Sequence, residues 1–164
     1  SRLCQLWEAS AQELHRESDV PVAVCRLGVV LGKGGGILPQ LLKPVRFGIG
    51  RIGSGKQPLC WIHMDDVVAA IQFIARQPVD QPWRVFNLTA PQATTQQDFA
   101  QTAARLLHRS LWLSLPAGLM RAAMGEQADL VLDGQHVEPA RLLAEGYGFH
   151  YPTLEAALEN LLKG

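Results

Sequence analysis

The side chains best placed for chemistry meet at one junction, Trp61-Ile62-His63-Met64-Asp65-Asp66, where a short apolar run gives way to a helical pattern. An imidazole there can give or take a proton near neutral pH, and a His just ahead of a helix can equally cap or pack against it, so both readings of His63 stay open. Asp65 and Asp66 read as structural, because free N–H groups and the helix dipole stabilise negative charge at a helix start, and either is expected to be the N-cap. In open α/β sheets, ligands gather where strands end and helices begin. His108, His136 and His150 have no Cys, Asp or Glu at a metal-ligand spacing, so no metal is expected. Gly32-Lys33-Gly34-Gly35-Gly36 fits neither a Walker loop nor a Gly-x-Gly-x-x-Gly fingerprint and reads as a flexible crossover or lid.

The elements that must position this junction are legible in order. Ser1 to Glu17 is predicted as a helix with Leu3, Leu6, Trp7, Ser10, Ala11 and Leu14 on one face. Pro21 to Leu31 is nearly continuous in apolar residues, the pattern of a parallel strand buried on both faces, with Arg26 expected near its end to reach a carboxylate or a carbonyl. Ile37 to Leu42 starts a helix that Pro44 is expected to stop. Gly53-Ser54-Gly55 makes a turn that tolerates positive φ, Leu59 to Ile62 a strand, and Val67, Val68, Ala70, Ile71, Phe73 and Ile74 one helical face.

Further along, Trp83 to Leu88 is a strand. Thr94 or Thr95 caps a helix with Phe99, Ala103, Leu106 and Leu107 inward. Leu111 to Leu115 reads as a strand and Pro116 to Met124 as a helix packing through Leu119, Met120 and Ala123. A helix from Val137 to Glu145 closes on Gly146, and Thr153 caps Leu154 to Leu162.

Composition narrows the class. The chain has 164 residues, 48% hydrophobic and 18% charged, with a formal net charge of zero. That balance points to neither a nucleic acid nor an anionic membrane as partner. No apolar run approaches the ~18 residues a spanning helix needs. Cys4, Cys25 and Cys60, odd in number and widely spaced, suit reduced thiols, so a soluble cytoplasmic protein is expected.

The stretch Gly53-Ser54-Gly55-Lys56-Gln57-Pro58-Leu59-Cys60-Trp61-Ile62-His63-Met64-Asp65-Asp66 resembles Gly-Asp-Gly-x-Gln-x-Arg-Asp-Phe-x-x-Val-Asp-Asp of the extended short-chain dehydrogenases, the nucleotide-sugar epimerases and dehydratases. Val85 to Leu88 followed by Thr94 to Phe99 is similar to the strand and capped helix of their substrate lobes. Pro139 to Tyr147 with Leu154 to Leu158 is similar to their terminal signature. Leu3-Cys4-x-x-Trp7-Glu8, Gly28 to Gly36, Trp61-Ile62-His63 and Gly125-Glu126 place the likeness in the atypical, nucleoside-diphosphate-sugar epimerase-like branch.

The resemblance covers this chain as the back half of that family. It implies an α/β fold: the last parallel strands of a Rossmann-type domain over residues 1–50, then a mixed α/β substrate lobe over 51–164, with the N-terminal nucleotide-binding half lacking. It places Gly28, Val29 and Val30 under the nicotinamide of NADP or NAD, available only with that other half. A small glycine beside β-branched residues at a strand end permits close ring approach. It puts substrate contacts on Arg51, Lys56, Gln57, Trp61 and His63, with His63 the one catalytic candidate.

The family's Tyr-x-x-x-Lys pair does not occur. If Glu8 is the glutamate that follows that lysine, Cys4 stands in the lysine position and the tyrosine falls just before Ser1. A tyrosine with an ordinary pKa near ~10 needs a neighbouring cation to act as a base near neutrality, which cysteine does not provide. Leu59 stands where the sugar-nucleotide enzymes carry an arginine that grips a diphosphate, so a smaller or more apolar substrate enters consideration beside a sugar nucleotide.

Two readings remain. In one, the chain is the C-terminal lobe of an NAD(P)-dependent oxidoreductase acting on a small molecule, inactive alone, with exposed faces on residues 1–17 and 22–31. In the other, it is a binding module whose faces are covered by its own chain or by a second copy, and such faces leave room for a homodimer.

Overall fold

Gly28 divides what the sequence presents as one apolar run. A computed structural model describes residues 2–18, 20–79, 81–116, 118 and 134–163. In it Pro21 to Leu31 forms two strands, β1 (Val22–Leu27) and β2 (Val29–Leu31). β1 pairs in parallel with β5 (Trp83–Leu88), from Val22 opposite Trp83 to Leu27 opposite Leu88. β2 pairs in parallel with β4 (Trp61–His63). The hand-over is made by two backbone bonds: the Gly28 N–H donates to the Leu88 carbonyl at 3.0 Å and the Val29 N–H to the Cys60 carbonyl at 2.7 Å. A β-carbon on Gly28 would lie 2.8 Å from the Cys60 oxygen and 3.0 Å from Thr89 Cγ2, so a glycine is what lets the three segments meet.

The expectation of a strand buried on both faces is corrected here. No residue of β1 is fully buried, because its one partner among the described residues is β5. A third parallel pair joins β3 (Ile49–Ile52) to β6 (Leu113–Leu115), with a register irregularity between Ile49 and Arg51. The expected strand over 59–62 is observed at 61–63, and that over 111–115 at 113–115.

The helices are α1 (Arg2–Ser18), α2 (Leu38–Arg46), α3 (Met64–Arg76), α4 (Gln96–Leu106), α5 (Ala140–Ala144) and α6 (Leu154–Leu162). α2 runs through Pro44 instead of stopping there. Its buried face of Leu38, Leu42 and Val45 spans the proline, and that packing outweighs one lost bond to the exposed Gln40. α4 begins with a full capping box: Thr95 Oγ1 accepts from the Asp98 N–H at 3.2 Å, while Asp98 accepts from the Thr95 N–H at 2.8 Å. Thr153 caps α6, and Gly146, at φ +84°, follows α5. The predicted helix over 116–124 falls, but for Pro116 and Gly118, outside the described residues.

Side-chain alternation along β4 separates two cores. Trp61 joins Leu31, Leu42, Val45, Phe99, Ala103 and Leu158 on one side, while Ile62 joins Val67, Ile74, Phe86, Leu88, Leu142 and Tyr147 on the other. The first cluster takes buried residues from both sides of residue 50, whereas the buried members of the second all follow it, with the partly buried Cys25 and Val30 packed against them. On α3, Val67, Ala70 and Ile74 are buried, but Val68 and Ile71 are about half exposed, contrary to the expected single face. The apolar face of α1 is open too: Leu3, Leu6, Trp7 and Leu14 are each more than half exposed, with Trp7 at 67%. Among the described residues, no helix is long and apolar enough to cross a membrane.

Candidate functional site

The β4–α3 junction is held from both ends. Trp61 is buried, and its indole N–H donates to Thr94 Oγ1 at 3.0 Å. His63, also buried, is the N-cap of α3: its Nδ1 accepts from the Asp65 N–H at 3.1 Å. This corrects the expectation that Asp65 or Asp66 caps the helix. With Nδ1 accepting, the ring proton sits on Nε2, which donates to Asn160 Oδ1 at 3.2 Å. Tyr151 stacks on the imidazole, ring centroids 3.9 Å apart. Both His63 nitrogens therefore have protein partners.

Asp66 makes contacts its neighbours in sequence do not announce. Its side chain is fully buried; one carboxylate oxygen accepts from Tyr147 Oη at 3.0 Å and the His150 N–H at 2.8 Å, the other from the Tyr151 N–H at 2.9 Å. A helix start thereby clamps the loop between α5 and α6, which in turn seats Tyr151 on His63. Burial, the Asp66 charge and the hydrogen bond to it push the Tyr147 phenol well above its ordinary value.

The turn before β4 is self-contained. Gly53 and Gly55 adopt φ of +61° and +72°. Gln57 is buried, donating to the Ile52 carbonyl at 2.9 Å and accepting from Ser54 Oγ at 3.0 Å. Arg51 and Lys56 are exposed. The five candidates of this stretch thus divide: Gln57, Trp61 and His63 have their polar atoms bonded inside the protein, and Arg51 and Lys56 face solvent.

Gly28, Val29 and Val30 lie at the hand-over between strand pairs, with both valines half buried. Beside Gly28 the Cys60 backbone borders a small cleft of about 30 Å³, walled by Leu59, Cys60, Ala90 to Thr94 and His136 to Val137, with Glu138. None of Arg51, Lys56, Gln57, Trp61 or His63 is in that wall. One side of it is the segment 135–138, which has no regular secondary structure and where a helix was expected to begin. Three side chains hold this strap. Cys60 Sγ accepts from the Val137 N–H at 3.2 Å and donates to the Gln135 carbonyl at 2.8 Å. Thr89 Oγ1 donates to the Val137 carbonyl and Asn87 Nδ2 to the Glu138 carbonyl, each at 3.3 Å. On its outer side His136 Nε2 sits 3.1 Å from Glu138 Oε1.

Sequence reasoning did not single out Thr89, Thr94, Val137 or Glu138 as part of a site. A signal existed only for the break at Gly134, since the contacts from Cys60 cross more than seventy residues. Arg26 behaves as expected, forming a two-pronged pair with Glu8 at 2.8 Å on each arm, on the exposed side of β1. That guanidinium holds the Glu8 carboxyl below its usual range. Burial pushes the Cys25 thiol up. Among the described residues, no cluster of His, Cys, Asp and Glu has the geometry to hold a metal ion.

Comparison with known proteins agrees with this architecture. A family described as "Domain of unknown function (DUF1731)" matches residues 115–161. Epimerase family protein SDR39U1 of Mus musculus is 40% identical over 164 residues, which are 99% of this chain and 55% of the relative. The crystal structure of human epimerase family protein SDR39U1 (isoform 2) with NADPH is similar at a TM-score of 0.76 and 37% identity, covering 88% of this chain and 49% of that one. The nucleoside-diphosphate sugar epimerase from Corynebacterium glutamicum is similar at a TM-score of 0.73 and 26% identity, covering 98% of this chain and 30% of that one. The chain spans about half the length of the curated relatives it matches. It corresponds to the C-terminal part of epimerase-family proteins and carries the α/β fold of their Rossmann-type relatives.

Proposed function

We propose that this chain supplies the substrate side of an NAD(P)-dependent epimerase-type oxidoreductase of the cytoplasm, acting on a sugar nucleotide or a related small molecule and inactive without its nucleotide-binding counterpart. Residues 1–50 contribute the last Rossmann elements and 51–164 the substrate lobe. The observation that carries this reading is the open apolar face of α1, with Leu3, Leu6, Trp7 and Leu14 exposed beside a β1 that is only partly covered and whose Leu27 is 55% exposed. A face of this kind suits a missing structural neighbour, and relatives nearly twice as long have residues to provide one. Gly28, Val29 and Val30 then stand at strand ends beside the cleft, where NADP or NAD, if bound, supplies hydride transfer. The chain's own part is to bring backbone groups close to the cofactor ring at Gly28 and to shape the substrate wall. The human relative solved with NADPH supports the choice of cofactor.

The test is a fluorescence titration with NADPH. The 164-residue chain alone is expected not to bind it, whereas a protein extended N-terminally by the segment that precedes Ser1 is expected to bind. Tight binding by the short chain would overturn the reading. A stable homodimer with α1 buried between copies would favour the non-catalytic binding module instead.

A further inference from the structure

Two buried polar atoms of opposite charge lie near the start of β5 with nothing bonded to either. Arg84 is only 6% exposed and its Nε has no hydrogen-bond partner, and Oε2 of Glu145, at the end of α5, is buried without one as well. Alternation along β5 puts Arg84 on the side of Phe86 and Leu88, the side that α5 covers through Leu142. There Arg84 Cζ stands 5.7 Å from the centre of the Phe86 ring and Arg141 Cζ 4.9 Å from it. Arg141 reaches in two directions: its Nε donates to Glu145 Oε1 at 2.8 Å, and its Nη2 donates at 3.2 Å to Oε1 of Gln81, three residues before Arg84. The Glu145 carboxylate is thereby drawn toward the strand end that carries Arg84. Out of water a guanidinium N–H needs an acceptor and a carboxylate oxygen needs a donor, so each of these two orphans is the chemical complement of the other.

We infer that Arg84 and Glu145 are the two halves of a latch: a turn of the Glu145 side chain, or one water between them, joins Oε2 to Arg84 Nε while Oε1 keeps Arg141. The closed latch ties the end of α5 to the start of β5 through one shared carboxylate. It acts on the strap as well. Residues 135–138 run through Pro139 directly into α5, and the bonds from Asn87, Thr89 and Cys60 hold only the part of the strap that precedes the helix. Fixing α5 behind the strap holds it in the cleft wall, and freeing α5 gives it slack to leave. The latch does not depend on the proposed activity.

The test is a double-mutant cycle in the N-terminally extended protein, read by melting temperature and by backbone amide exchange. Arg84→Met is expected to lower Tm by about 4 °C with Glu145 in place and by less than about 1 °C in the Glu145→Met background. Exchange at the Val137 amide is expected to speed up about tenfold in Glu145→Met, while that at Ala100 in α4 stays as it was. Should a variant fail to fold, the unaltered protein decides, since its Arg84 Nε–H is expected to show a nuclear Overhauser contact to the Glu145 side chain. Equal changes in Tm in both backgrounds, a rise in Tm on Arg84→Met, or absence of that contact would overturn the latch. Unchanged Val137 exchange in Glu145→Met would overturn its hold on the strap. Inorganic phosphate that raises the Tm of the unaltered protein but not of Arg84→Met, with chloride inert at equal ionic strength, would give Arg84 a free anion in place of Glu145 and overturn the inference too.

Discussion

Replacing Asp66 with alanine is expected to cost about 4 kcal/mol of stability. The structure supplies the terms. The carboxylate is fully buried and accepts two backbone N–H bonds, at 2.8 and 2.9 Å, and one phenol bond at 3.0 Å. Hydrogen bonds to a charged group contribute about 1.5–3 kcal/mol each, and a donor stranded in a buried site loses about 1–3 kcal/mol. The phenol is partly rescued, because Tyr147 Oη also donates to the Asp66 backbone carbonyl at 3.1 Å. The two amides at His150 and Tyr151 are only partly buried, so water recovers some of their loss. About 1.5 kcal/mol for each amide and about 1 for the phenol gives the stated sum. For a chain of this size each kcal/mol lowers Tm by about 2–4 °C, so the melting temperature should fall by roughly 8–16 °C in calorimetry. Asp66→Asn should recover part of this, since one oxygen still accepts, although its NH2 group opposes the remaining donors. A fall of less than about 2 °C for Asp66→Ala would show that the clamp between α3 and the 147–151 loop does not hold the fold as described.

Further expectations follow the same logic. Gly28→Val drives a β-carbon against the Cys60 carbonyl, 2.8 Å away, and should weaken NADPH at least tenfold in the extended protein; unchanged affinity in a folded variant would remove Gly28 from the cofactor side. Thr95→Ala removes one arm of a complete capping box and should cost about 1 kcal/mol in urea unfolding, while Thr95→Ser should cost less. Because the Tyr147 phenol titrates higher in the folded than in the unfolded chain, the unfolded state loses that proton first. Stability should then be level below the ordinary tyrosine pKa of about 10 and fall as pH rises beyond it, with a shallower fall in Tyr147→Phe.

Local signals were legible and distant ones were not. Thr95 and Thr153 announce their helices because a cap and the turn it opens lie within four residues of each other. Trp83 to Leu88 reads as a strand because prolines bound it closely. The α/β class and the likeness to epimerase lobes were carried by the turn at Gly53 to Gly55 and by the β4–α3 junction, which are contiguous in sequence. What stayed hidden depends on partners far along the chain. Nothing in Pro21 to Leu31 says that its first half pairs with residues 83–88 and its second with 61–63, and that change of partner opened β1 to solvent. Asp66 looks like any acid in a first helical turn until residues 147–151 arrive at its carboxylate. His63 took the cap because its backbone is still extended there, at φ −73° and ψ 144°. The cleft wall eluded sequence reasoning for the same reason: Val137 and Glu138 read as the start of a helix by pattern, but bonds from Asn87, Thr89 and Cys60 hold residues 135–138 out of regular secondary structure.

The most direct measurement is the position of bound NADPH relative to the β1–β2 hand-over, read from backbone amide shifts and nuclear Overhauser contacts in the N-terminally extended protein. The account predicts contacts from the nicotinamide ring to Gly28, Val29 and Val30, beside the cleft bordered by Cys60. Nicotinamide contacts confined to other segments, with the amides of residues 28–30 unmoved at saturation, would contradict it.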